Sequence, residues 1–384
     1  MRLFTSTRTS RIILLFCFTF SLIFGNQLNA QDNQSDFLKA PYLMLSQNKS
    51  QIILLWQLNL TKICDVYYGT DSVYLDKRIQ SEEYNTDHQH QYFFDSLDLN
   101  TKYYYKIVSN QFIKKGSFRS SPNADIEHFS FIAYGDTRTF PENHNLVAKQ
   151  IIKVVQQDTS AQTFVVSTGD VVANGNIEED WQNQFFDPQY KYIQELLANM
   201  PYMVSMGNHE GQGALFAKYF PSDFYQNDRY YYSFNYGNVH FIALDQMVDL
   251  KPGSIQYEWL IKDFEANHQP WTIVLLHKPG FTAGGHSNNK LVKKVLQPIF
   301  KKYGVKLVLA GHNHYYSRAE VDGIQHITTG GGGAPLYSPK ANKKHIIKVD
   351  KSYHFCKIEV KSDNLWVSVI RSDGSIIEEF KIDK

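Results

Sequence analysis

Five apolar runs in the middle of this 384-residue chain stop at side chains that bind metal ions or move protons. FSFIAYG stops at Asp136, TFVVSTG at Asp170, YMVSMG at Asn208 and His209, TIVLL at His277, and VKLVLAG at His312 and His314. Carboxylate, amide oxygen and imidazole form a hard to borderline donor set. It suits Zn, Mn or Fe in a site that keeps an open position, and matches a closed structural zinc poorly. A cation held in such a site acts as a Lewis acid and makes a bound water a strong nucleophile near neutral pH. One residue of this kind decides little, since a lone strand-end His usually packs and an Asp beside Gly usually turns the chain. His88 and His90 form another His-x-His, on an alternating strand of the N-terminal part, and read as structural. What sets the five strand ends apart is that they occur together.

The elements that must position them alternate in type. Strand-like runs are separated by helical stretches such as PENHNLVAKQIIKVVQQ, EEDWQNQFFDPQYKYIQELLANM, SIQYEWLIKDFEA and LVKKVLQPIFKKY, an α/β layout. In open α/β sheets ligands gather at the carboxyl edge of the strands, so side chains distant in sequence meet at one rim. Glycines before Asp136, Asp170, Asn208 and His312 are expected to supply the tight turns that aim each side chain inward. Before this region, QIILLWQL, CDVYYG, HQHQYFFDSL and TKYYYKIVS read as strands of an all-β sandwich with no helical period. From about His345 the chain is again strand-like, with hairpins through SDN and SDG. The expected organisation is a leader over 1–30, a β-sandwich over 38–122, and a catalytic-type α/β domain over 126–384.

Composition limits the classes of function. The formal net charge is +1, which gives no electrostatic footprint for nucleic acid, so an anionic substrate must be recognised locally. The first residues order a basic region (Arg2, Arg8, Arg11), an apolar run from Ile12 to Phe24 and a polar stretch to Ala30. That order predicts a signal peptide cleaved near Ala30 and a secreted, periplasmic or cell-surface protein with no membrane span after cleavage, because the run is shorter than the roughly 18 to 20 residues of a span. Beyond it only Cys64 and Cys356 remain. Two such distant cysteines make no metal motif or disulfide framework, although a single bridge is open to them.

GDTR, GDVV, GNHE, LLHKPGF and AGHNHYYSR, in that order and followed by HITTGGGGAP, resemble the five-block signature of calcineurin-like metallophosphoesterases. The likeness is strongest to purple acid phosphatases, which also carry an N-terminal fibronectin type III-like domain. LDLNTKYYYKI resembles that domain's tyrosine corner, and SQIILLWQL its Trp-bearing strand. The resemblance implies two packed mixed sheets flanked by helices. It also implies a dinuclear centre of divalent or trivalent ions (Fe, Zn or Mn) acting on phosphomonoesters or phosphodiesters. By position, Asp136, Asp170 and His314 would hold one ion, and Asp170 would bridge to a second held by Asn208, His277 and His312. His209 would contact phosphate and protonate the leaving group, and His286 resembles a substrate-facing loop histidine. Two positions depart from the family. Ala173 stands where purple acid phosphatases have a tyrosinate ligand, so no charge-transfer colour is expected. Arg138 stands where many other members have a histidine ligand, so Asn174, His144 or water is left to complete the first ion. Arg138 itself is either a phosphate clamp or a partner in a surface ion pair.

Three further readings complete the expectations. The aromatic loop GQGALFAKYFPSDFYQNDRYYYS reads as core packing in preference to base stacking. Asp245 reads as a turn carboxylate in preference to support behind the metal ligands. The alternative to an enzyme is a surface binding protein built on the same fold with weakened turnover, a reading that draws on Arg138 and Ala173 and is opposed by the presence of His209.

Overall fold

The computed structural model describes residues 35–384 apart from 125, 127, 227 and 228, so the expected leader over 1–30 lies outside the described residues. Seven strands come first: β1 (Phe37–Leu45), β2 (Ile52–Leu58), β3 (Cys64–Gly69), β4 (Lys77–Ser81), β5 (Gln89–Phe94), β6 (Lys102–Ser109) and β7 (Phe112–Arg119). They form two antiparallel sheets, β1-β2-β5 and β4-β3-β6-β7. Alternation in β6 buries Tyr103, Tyr105 and Ile107 on one face, and Phe94 of β5 packs across on Tyr68, Tyr105 and Phe118, so the sheets close into a sandwich. The Tyr103 hydroxyl accepts the Asp98 N–H at 3.0 Å, the tyrosine corner that LDLNTKYYYKI leads one to expect. His90 stacks on Trp56 and bonds Ser81, which makes it structural, and Cys64 and Cys356 are buried free thiols.

Two mixed sheets follow. The first has the order β10-β9-β8-β18-β19-β20, in which β8 (Phe129–Tyr134), β9 (Val165–Ser167) and β10 (Tyr202–Val204) are parallel. The second has the order β11-β12-β13-β14-β16-β15-β17, formed by β11 (Tyr232–Tyr236), β12 (Val239–Ala243), β13 (Trp271–Leu275), β14 (Leu307–Ala310), β15 (Tyr316–Val321), β16 (Ile324–Thr329) and β17 (Ile346–Asp350). The hairpins β18 (His354–Val360), β19 (Asn364–Arg371) and β20 (Ile376–Asp383) complete the first sheet, β18 pairing antiparallel with β8. Phe131 and Phe164 of one sheet meet Phe241 of the other edge to face, so the sheets share a core.

Helices cover the outer faces. α1 (Pro141–Gln157) opens with a proline, whose missing N–H costs nothing at a helix start, and buries Val147, Ala148 and Ile151 at helical spacing. The stretch EEDWQNQFFDPQYKYIQELLANM, read from sequence as helical throughout, is two helices, α2 (Glu178–Gln184) and α3 (Lys191–Asn199). Pro188 lacks an N–H and disfavours helical backbone at Asp187. After α4 (Ala214–Tyr219), α5 (Ile255–Ala266) and α6 (Gln297–Lys302) lay Leu260, Phe264 and Phe300 on the second sheet's outer residues Ile242, Val274 and Val308. Fully burying side chains of this size stabilises by about 1.5–3 kcal/mol each. The predicted aromatic loop is core: Phe216, Tyr219, Phe220 and Tyr232 are all buried. Sandwich and α/β parts pack as one compact unit over 36–384, held in part by Tyr105 Oη donating to Ala198 O and by Lys39 between Gln57 and Glu178.

Candidate metal centre

The five strands whose ends were singled out are β8, β9, β10, β13 and β14, and their carboxyl ends meet at one rim. Two groups of donor atoms each lie within 4.8 Å of one another: Asp136, Asp170 and His314, and Asp170, His277 and His312. Asp170 belongs to both. Asn208 joins the second group, its Oδ1 3.1 Å from His277 Nε2.

The glycine expectation needs correction. The left-handed backbone sits on the ligands themselves, with φ 57° at Asp136, 55° at Asp170 and 66° at His312, and of the four preceding glycines only Gly169 has positive φ. Such conformations cost roughly 1–3 kcal/mol each in a non-glycine residue. Gly207 and Gly311 are required for space: a Cβ there would stand 2.3 Å from Asp170 Oδ1 and 2.4 Å from Asp136 Oδ2. The strain is held by hydrogen bonds, the His312 N–H donating to the Asp136 carboxylate at 2.9 Å and the His209 N–H to Asp170 Oδ1 at 2.9 Å.

Ring orientation is also fixed. A carbonyl only accepts, so Nδ1–H of His277 donates to Thr168 O at 2.8 Å and Nδ1–H of His314 donates to Pro335 O at 2.8 Å. Both rings thereby turn Nε2 toward the carboxylates, the arrangement by which metal-binding imidazoles are oriented. Around His277 Nε2 stand Asn208 Oδ1 at 3.1 Å and Asp170 Oδ1 at 3.2 Å. A lone pair facing two acceptors requires a cation or a proton between them. Without an ion, burial opposes charging His277, but the adjacent Asp170 overrides it and raises its pKa to about 9, while burial pushes Asp136 up to about 8. Donor type, orientation and unbalanced buried charge all fit metal ions, and these Asp/His groups are able to hold them.

Arg138 lies inside the centre, which removes the surface ion-pair reading. Its Nε is 3.6 Å from Asp170 Oδ2 and its Nη2 3.4 Å from His314 Nε2. His144 does not complete the first group, since its Nε2 meets the Tyr134 hydroxyl at 2.9 Å, and Asn174 caps a turn through the Asn176 N–H. Asp245 is a turn carboxylate, accepting the Met247 N–H at 2.8 Å. His209 sends Nδ1–H to Ala173 O at 2.6 Å and leaves Nε2 facing Asp170 Oδ2 at 3.8 Å. His286 stacks on His312 with ring centroids 4.0 Å apart, and its N–H donates to Asn313 Oδ1.

Sequence reasoning missed two residues. Glu210 is fully buried and accepts N–H groups from Asp170 (3.0 Å), Val171 (2.7 Å) and Gly207 (2.7 Å), tying together the loops after β9 and β10. An acidic residue directly after Asn208-His209 was its only signal. Tyr337 stacks on His314 at 4.3 Å and lies just past HITTGGGGAP, where no motif marked it.

Comparison with known proteins defines the class: residues 129–316 match the family described as calcineurin-like phosphoesterase, and the chain contains a calcineurin-like phosphoesterase domain. Within that class its curated relatives include purple acid phosphatases of Arabidopsis thaliana. A probable purple acid phosphatase 20 is 28% identical over 58% of this chain and 53% of that protein, and the Fe(3+)-Zn(2+) purple acid phosphatase 12 is 24% identical over 62% and 53%. The chain spans about half the length of these relatives. In fold it is similar to a purple acid phosphatase from yellow lupin (Lupinus luteus) seeds (TM-score 0.75, 20% identity, 90% of this chain and 74% of that one). It is also similar to PhoD (TM-score 0.69, 12% identity, 92% and 93%).

Proposed function

We propose that this protein is an exported, metal-dependent phosphoester hydrolase. The observation that carries the reading is the pair of Asp/His groups sharing Asp170, open at the rim where the ring of His209 lies. Fe, Zn or Mn ions held by Asp136, Asp170, Asn208, His277, His312 and His314 would supply Lewis acidity and an activated water. The chain's own groups do the rest. Arg138 presents a guanidinium to phosphoryl oxygens beside the first group, a geometry that pairs bidentately with phosphate. His209 has its tautomer set by Ala173 O, so Nε2 is the atom that gains a proton and delivers it to the leaving oxygen. His286, stacked on His312 and lining the same cavity, would contact the substrate beside the second group.

Export rests on the basic, apolar and polar order of residues 1–30. Among the described residues no helix is long and apolar enough to cross a membrane. The sandwich over 38–122 is assigned a scaffolding role, with the hydrolase over 126–384.

The test is elemental analysis of the purified protein beside hydrolysis of p-nitrophenyl phosphate and bis-p-nitrophenyl phosphate, before and after chelation and readdition of Mn, Zn or Fe. Bound metal with chelator-sensitive turnover supports the reading, and the preferred ester separates monoesterase from diesterase. No metal and no turnover after reconstitution sinks it in favour of the binding-protein alternative.

A further inference from the structure

A cavity of about 660 Å³ opens directly on Asn208 and His312 and runs along the loop that follows His277. Lys278 and Lys290 line it. A second cavity of about 400 Å³ continues from it, sharing His286, Ser287 and Asn288, and is lined by Lys293, Lys343 and Lys344. Neither has an aspartate or glutamate among its described lining residues, and none of the five ammonium groups has a carboxylate partner among the described residues.

The two lobes belong to one built surface. The Lys340 N–H donates to Ala283 O, and the His345 ring meets Phe281 at 5.6 Å, so the 340–345 loop is seated on the 281–288 loop. The charge reaches the candidate centre: Lys278 lines the near lobe together with Asn208, His286 and His312. A concave surface of one sign raises the local concentration of an oppositely charged ligand and holds it more strongly than scattered charges do. Five cations are more than a single phosphoryl group at the metals would meet, and they extend away from the reacting position.

We propose that the lysine-lined double cavity is a subsite for a second phosphoryl group, so that the preferred substrates are phosphoesters carrying at least two phosphates. This rests on the hydrolase reading above. Lys278 and Lys290 take the near portion of such a substrate, and Lys293, Lys343 and Lys344 the distal phosphate. The distal contacts supply binding without taking part in bond breaking, so they act mainly on KM.

The experiment compares fructose 1,6-bisphosphate with fructose 6-phosphate, on the full protein and on a Lys293→Gln, Lys343→Gln, Lys344→Gln triple variant of the distal lobe. Turnover is measured on the metal-loaded protein, and equilibrium binding by calorimetry on both loaded and metal-free protein. The expected result is at least a ten-fold higher kcat/KM and tighter binding for the bisphosphate, a preference that shrinks with added salt. In the triple variant the preference should collapse toward parity, while fructose 6-phosphate turnover stays within about two-fold. Equal binding of the two sugars by the unaltered protein, or an unchanged preference in the variant, overturns the subsite. Preferential binding that is lost in the variant, with no turnover of either sugar, keeps the subsite and rejects the hydrolase reading.

Discussion

The carboxylate of Glu210 accepts the amide N–H of Asp170 at 3.0 Å, so the residue common to both ligand groups is held through its own backbone by the loop that carries Asn208 and His209. The same carboxylate takes the N–H groups of Val171 and Gly207. In Glu210→Gln one oxygen becomes a donor that faces N–H groups, leaving buried donors unpaired at about 1–3 kcal/mol. Metal affinity should fall about 10- to 100-fold, the usual effect of losing a group that orients ligands. Chelator competition and urea unfolding measure the two. Unchanged affinity would show that Asp170 is oriented without Glu210.

Metal stoichiometry tests the ligand groups separately. Asp170→Ala removes a donor from both, so both ions should weaken together, whereas His314→Ala touches only the group with Asp136 and should leave the second ion bound. Elemental analysis after dialysis against limiting chelator reads the difference. A single ion per chain in the unaltered protein would mean that the Arg138 guanidinium, already 3.4 Å from His314 Nε2, takes the place of the first ion.

In the proposed hydrolase His209 moves a proton and holds no metal. Its Nδ1 is committed to Ala173 O, and its main-chain N–H supports Asp170 in any variant, so His209→Asn should keep its metal content. Hydrolysis should drop about a hundred to ten thousand-fold. Loss of metal together with activity would move His209 into the ligand set.

Ala173 occupies the position where purple acid phosphatases carry a tyrosinate. The tyrosine that does touch the centre, Tyr337, stacks on His314 through its ring, and burial raises its pKa, which keeps it a neutral phenol. Iron-reconstituted protein should therefore lack an intense visible charge-transfer band. A strong band would show a phenolate on iron, with Tyr337 the first residue to replace by Phe.

The strand-end residues were legible in the sequence because apolar runs stopping at Asp, Asn or His five times in one chain exceed what turns and packing require, and their order added the family likeness. The tyrosine corner at Tyr103 was legible in the same way, as a local pattern. The left-handed backbone at Asp136, Asp170 and His312 was not, because the glycine beside each absorbs the expectation while the strain is imposed by hydrogen bonds from a distant loop. Glu210, Tyr337 and the cluster of Lys290, Lys343 and Lys344 escaped because each gains meaning only when loops far apart in the chain meet. The break between α2 and α3 is a plainer miss, since Asp187-Pro188 announces it locally.

Buried histidines away from the metal centre set the response to acid. His326 has its pKa lowered to about 3, chiefly by burial with His345 adding to it and Asp322 opposing, and its Nε2 has no hydrogen-bond partner. Burial lowers His354 to about 4, its Nδ1–H given to Ser352 O and its Nε2 3.2 Å from the Thr329 hydroxyl. Both folded values lie below the unfolded value of about 6.5, so the folded state binds these protons less readily than the unfolded chain. Their stabilisation is complete above about pH 6.5 and is lost as pH falls toward 4 and then 3, on the order of 1–2 kcal/mol each by pH 5. Asp136 and Glu210, raised by burial to about 8 and about 7, act in the opposite sense in metal-free protein, which is why the measurement belongs on the metal-loaded form. The melting temperature of that form should fall steadily between pH 6.5 and 4.5. His326→Phe removes one of the titrating groups while keeping a ring against Phe281, and should flatten the fall. A profile identical to the unaltered protein would show that acid acts elsewhere, with the ligand histidines and their metal as the next place to look.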